Sequence, residues 1–193
     1  MRHALAVMAV LCLPSAALAG PQASNLIING NFSTSDFTGW STGGTFIFSG
    51  VTTSNFDDYG RPGGAPYALL GPVGGDGTLS QSFADHAGQH LTVSFLLAVD
   101  GQTPNDFTAS FDGAALLAVS DAPAQGWTEY TYSVTATGLD TLNFSFRDDP
   151  GYWALDGISV TQTAVPEPAS LAGLGGGLAC LAAMLWRTRA RKT

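Results

Sequence analysis

The chain has 193 residues, 45% of them hydrophobic and 11% charged, with a formal net charge of −8. The imbalance is sharper in the middle, where fourteen acidic residues between positions 20 and 165 stand against Arg61 and Arg147 alone, leaving −12. Such a surface repels nucleic acid and anionic lipid headgroups, and it leaves cations or neutral glycans as the easier partners.

Taken in chain order, the first nineteen residues set Arg2 and His3 ahead of an apolar run over 4–13, then Pro14 and a small-residue stretch ending Ala17-Leu18-Ala19. A charged start, a short apolar core and an A-x-A site make a Sec-type signal peptide, so residues 1–19 are predicted to lie outside the fold. Residues 20–163 follow as one predicted domain, long enough to bury a core of its own. Both cysteines, Cys12 and Cys180, fall outside it, so no disulfide can brace it.

Within that domain Leu91, Val93, Phe95, Leu97 and Val99 alternate with Thr92 and Ser94, and Leu142, Phe144 and Phe146 alternate with Asn143, Ser145 and Arg147. Period two marks half-buried strands. Further strands are predicted at 25–28, 45–51, 67–70, 78–83, 107–111, 115–119, 128–135 and 153–161, separated by Gly, Pro, Asn and Asp. About ten short strands without helical periodicity predict an all-β fold, a jelly-roll β-sandwich. Asp112-Gly113, between two apolar runs, reads as a tight hairpin turn. In the last strand Trp153 and Leu155 share one parity and Ile158 and Val160 the other, so a bulge is expected at Asp156-Gly157.

No catalytic constellation stands out. His86 and His90 lack the glutamate of a zinc-peptidase motif, and the doublets Asp57-Asp58 and Asp148-Asp149 put neighbouring carboxylates on opposite faces. Both doublets are expected to be solvated loop charges. Trp40 and Trp153 are expected in the core, whereas Tyr59, Tyr67 and Tyr152, close to turns, are the more open rings and candidate ligand contacts.

The C-terminal 164–193 segment runs Ala164-Val165-Pro166-Glu167-Pro168, an uncharged stretch over 169–186, then four basic residues within 187–192. Eighteen residues make a helix of about 27 Å, just enough for a transmembrane helix across a hydrocarbon core of about 30 Å. The basic cluster would hold the tail on the cytoplasmic side and leave the domain outside the inner membrane.

The order Pro166-Glu167-Pro168, glycine-containing span, arginine cluster resembles the PEP-CTERM sorting signal. That resemblance implies an exported bacterial precursor, processed by an exosortase-type membrane peptidase and passed to the cell surface or extracellular matrix. The opening run 25–33 with Gly39-Trp40, and the closing run 146–160, resemble the first and last strands of galactose-binding-like and carbohydrate-binding-module-like jelly rolls. This second resemblance implies binding of extracellular polysaccharide or a structural matrix role rather than catalysis; the alternative is a glycan-active hydrolase or lyase. It also implies a structural calcium ion between the first and last strands, with Asp156 as side-chain ligand and oxygens from Asn29 and Asn31. Here Ser33 and Gly157 stand where relatives carry further acids, which thins that site.

Overall fold

The computed structural model describes residues 24–54 and 65–163. They form ten strands: β1 (Ser41–Gly44), β2 (Gly50–Thr52), β3 (Tyr67–Leu70), β4 (Gly77–Ala84), β5 (His90–Val99), β6 (Asn105–Phe111), β7 (Ala114–Ser120), β8 (Gln125–Thr135), β9 (Leu139–Asp148) and β10 (Trp153–Gln162). Two antiparallel sheets result, ordered β1-β4-β9-β6-β7 and β2-β3-β10-β5-β8, and they face each other as a jelly-roll sandwich.

Alternation along the long strands builds the interior. Leu91, Val93 and Phe95 of β5, Leu142, Phe144 and Phe146 of β9, and Trp153 and Leu155 of β10 are all within 1% of complete burial. Phe95 meets Phe144 edge-on at 5.3 Å, and Phe107 meets Trp153 at 5.2 Å, so the core is an aromatic lattice spanning both sheets. Each such side chain contributes roughly 1.5–3 kcal/mol by leaving water. Trp40 and Trp153 belong to this core, as the sequence predicts.

Two predicted strands are redrawn. The 45–51 segment is mostly the connection between β1 and β2, with only Gly50 and Val51 in a strand, because Gly44 and Phe48 take positive φ (63° and 62°) and turn the chain at either end of it. Residues 25–28 are not a strand, although they do lie along β10: Leu26 N donates to Val160 O at 2.8 Å and Ile158 N to Gly30 O at 2.8 Å. Between these bonds the Asn25 side chain stands in for a backbone partner, accepting from Val160 N at 2.9 Å and donating to Ile158 O at 3.1 Å. A side-chain amide closes the gap without a continuous ladder.

The bulge lies where the parity change puts it. Along β10, Asp156 pairs with Leu96 of β5 but the next pair is Ser159 with Ser94, and Gly157 sits at φ 59°. Ile158 and Val160 thereby return to the core. Asp112 and Gly113, at φ 49° and 78°, make the β6–β7 turn, the double positive φ that a two-residue hairpin needs.

Candidate functional site

The outer face of the sheet β2-β3-β10-β5-β8 carries a second apolar cluster, of Tyr67, Ala98 and Ala154, with Leu69 and Trp127 packed against it. Register explains it. Leu69 pairs with Ala154 and Ala154 with Ala98, so two small residues sit side by side on the two inner strands. Large rings from β3 and β8 can then lie down across the sheet and meet: Tyr67 and Trp127 are 5.5 Å apart at 83°, an edge-to-face pair.

Tyr67 is consequently not the open ring expected of it. It is 0% exposed, and its hydroxyl donates to Ser54 O at 2.8 Å. Trp127, half-buried and lying over it, is the aromatic left at the surface. The sequence hides this, because nothing in the order of β3 or β8 says that alanines occupy the strands between them. Tyr152 does stay partly exposed. Its ring presses on Gly71, where a Cβ would collide with it, and its amide donates to Asp100 Oδ2 at 2.8 Å. Tyr59 and the motif Pro166-Glu167-Pro168 lie outside the described residues.

The three residues expected around calcium are engaged with the protein. Asn29 Nδ2 donates to Asp36 O and Thr38 O, its Oδ1 accepts from Thr34 N at 3.3 Å, and its carbonyl accepts from the Trp40 indole at 3.2 Å. Asn31 Oδ1 accepts from Ser33 N at 3.3 Å, and buried Asp156 accepts from Gly157 N at 2.6 Å through Oδ1. A groove of about 250 Å³ is lined by Ser35, Val51, Thr52, Thr53 and Pro66, with no aromatic ring among the described residues of its wall.

Carboxylates gather at two places. Asp85, Asp112 and Asp140 meet at one end of the sheet β1-β4-β9-β6-β7, around Thr137 and Gly138. Burial, and then contact with Asp140, raise the pKa of Asp85 and of Asp112. Asp140 feels the same burial, but hydrogen bonds with Thr137, Asp112 and Asp85 outweigh it and leave its pKa below the usual value. At the far end of β9, Asp148 is not a solvated loop charge. It is 0% exposed, because it continues the inward-facing row of Leu142, Phe144 and Phe146; Asp149 alone turns outward. Burial first, and then Asp100, push the Asp148 pKa to about 7.

Comparison with known proteins bears on both parts of the chain. The PEP-CTERM protein-sorting motif matches residues 164–192. No curated protein matches the chain. Among solved structures, the enzymatically active domain of bacteriophage CBA120 tailspike protein 4 is similar at 13% identity and TM-score 0.56, over 72% of this chain but 21% of that one. TmCBM61, solved in complex with β-1,4-galactotriose, is 18% identical with TM-score 0.55, over 72% of this chain and 99% of the module. The K3 cleaved adhesin domain of Lys-gingipain from Porphyromonas gingivalis is 17% identical with TM-score 0.52, covering 70% and 99%. The chain thus ends in a PEP-CTERM sorting motif, and its described body has the jelly-roll fold found in carbohydrate-binding modules.

Proposed function

We propose that this is an exported cell-surface or extracellular-matrix protein, released from its membrane anchor by an exosortase and binding neutral extracellular polysaccharide without turning it over. The sorting match over 164–192 supports the route, and an uncleaved signal peptide and anchor describe the precursor. The binding half rests on one observation above all: Trp127 laid over Tyr67 on an outer sheet face floored by Ala98 and Ala154. A flat ring in that position can cover the apolar face of a sugar while hydroxyls and carboxylates at its margin take the sugar's hydroxyls. Tyr152, seated on Gly71, adds a second ring just ahead of β10, the central strand of the same sheet. The shared fold with a galactotriose-bound module and an adhesin domain agrees with this reading.

A glycan array probed with wild type and Trp127→Ala tests it. Wild type is expected to bind neutral polysaccharide, and Trp127→Ala to bind at least about tenfold more weakly, equivalent to about 1.4 kcal/mol. A silent array would favour the purely structural role, and turnover of a bound glycan the enzyme. For the route, replacing Pro166, Glu167 and Pro168 by alanine should leave the protein as a membrane-bound precursor; unchanged mass and release would remove the exosortase from the account.

We place no calcium ion at Asn29, Asn31 and Asp156. Calcium takes about six to eight oxygens, whereas this set offers one carboxylate and two neutral amides.

A further inference from the structure

At the end of the sandwich away from Asp140, the β9–β10 connection folds against the loop that leaves β5. Gly151 N donates to Asp148 Oδ1 at 3.2 Å, and the next amide, Tyr152 N, donates to Asp100 Oδ2 at 2.8 Å. Two consecutive amides therefore draw two carboxylates to one place. Gly151 is buried there, and a Cβ on it would strike both carboxylate oxygens of Asp100, so the contact is tight enough to require glycine. Asp148 is 0% exposed, and its Oδ2 is buried without a hydrogen-bond partner.

An unpaired carboxylate oxygen in the interior is costly, and it needs a donor, a proton or a cation. No free Lys or Arg stands at hand among the described residues. Among the described residues Arg147 is the only Lys or Arg, and its Nε lies 3.2 Å from Asp106 Oδ2, an ion pair already made. We infer that Asp148 Oδ2 and the Asp100 carboxylate bind a divalent cation of the calcium class, which ties the β9–β10 connection to the loop after β5. Hard cations of this kind take oxygen ligands, and two converging carboxylates bring the charge that Asn29, Asn31 and Asp156 lack. The raised pKa of Asp148 has the same origin, a buried negative charge with Asp100 beside it, and a bound ion would reverse it. The site is independent of the polysaccharide reading.

Equilibrium dialysis of the full chain against calcium chloride, and melting in calcium and in chelator at pH 8, decide the matter. Wild type should bind one calcium per chain and melt several degrees higher in millimolar calcium, as expected for an ion that binds only the folded state. Asp148→Asn, which keeps the shape and the Gly151 bond, should lower the affinity at least about tenfold and abolish the increment; Asp156→Asn should keep both. Should Asp148→Asn fail to fold, Asp100→Asn serves in its place with the same expectation. Absence of calcium from the wild type, binding that survives Asp148→Asn or Asp100→Asn, or binding lost only in Asp156→Asn would overturn the proposal.

Discussion

The two ends of β9 make the same choice of residue and reach opposite outcomes. Asp140 and Asp148 are both 0% exposed and both sit on the inward-facing parity of the strand, bracketing Leu142, Phe144 and Phe146 some eight residues, about 27 Å, apart. Asp140 is met by donors: Thr137 N reaches both of its oxygens at 3.0 Å, and the Thr137 hydroxyl bonds Oδ1 as well. Asp148 is met by one amide, with its second oxygen unpartnered. The first has its pKa lowered and the second raised to about 7. Burial alone, then, does not decide what a buried carboxylate does; the number of donors aimed at it does.

The harshest way to break this comparison is to remove the satisfied partner. Asp140→Ala leaves the Thr137 amide without its acceptor and lets the Asp85 and Asp112 loops lose their common contact, at an expected cost of about 3 kcal/mol in urea unfolding at pH 7. A loss below about 1 kcal/mol would mean that water replaces the carboxylate freely, and the two ends would not differ as described. Asp148→Asn should act with the opposite sign. Because its folded pKa lies above the unfolded value, wild-type stability in chelator falls as pH rises toward 7, by about 1.4 kcal/mol per unit for this group. Asn mimics the protonated acid, so the variant should lack that fall and be more stable than wild type by about 2 kcal/mol at pH 8. Parallel stability curves for the two proteins between pH 5 and 8 would show Asp148 to be ordinary.

Much of this was legible before the fold. Period-two alternation placed the long strands, the parity switch between Leu155 and Ile158 placed the bulge, and Asp112-Gly113 placed the hairpin turn, because each is a local rule about which way a side chain must point. Asp148 was legible too, although its doublet disguised it: Asp140, Leu142, Phe144, Phe146 and Asp148 share one parity, so extending the strand by one residue buries it. Tyr67 was not legible. Its burial depends on Ala154 and Ala98 lying between it and Trp127, and that adjacency comes from the strand order β3-β10-β5-β8, not from any neighbour in sequence. The side-chain pairing of Asn25 with β10 is of the same kind, a contact across 133 residues.

The gentlest change isolates a single donor at the satisfied end. The Thr137 hydroxyl has one proton, which it can give either to Asp140 Oδ1 or to Asp112 Oδ2, while the Thr137 amide serves Asp140 regardless. Thr137→Val keeps the shape and the amide but deletes the hydroxyl, so about 1.5 kcal/mol of stability should be lost at pH 7, at the low end of the range for one hydrogen bond to a charged group. The pH dependence carries the sharper reading. A carboxylate whose folded pKa is depressed stabilises the fold above its unfolded pKa, and that contribution fades as pH falls through the folded value. Without the hydroxyl the Asp140 pKa should rise toward the ordinary carboxylate value, and the acid-side loss of stability should begin at higher pH than in wild type. An acid limb that overlays the wild type would assign the lowering of Asp140 to its contacts with Asp112 and Asp85 and to the Thr137 amide, and the Thr137 hydroxyl would have no electrostatic part.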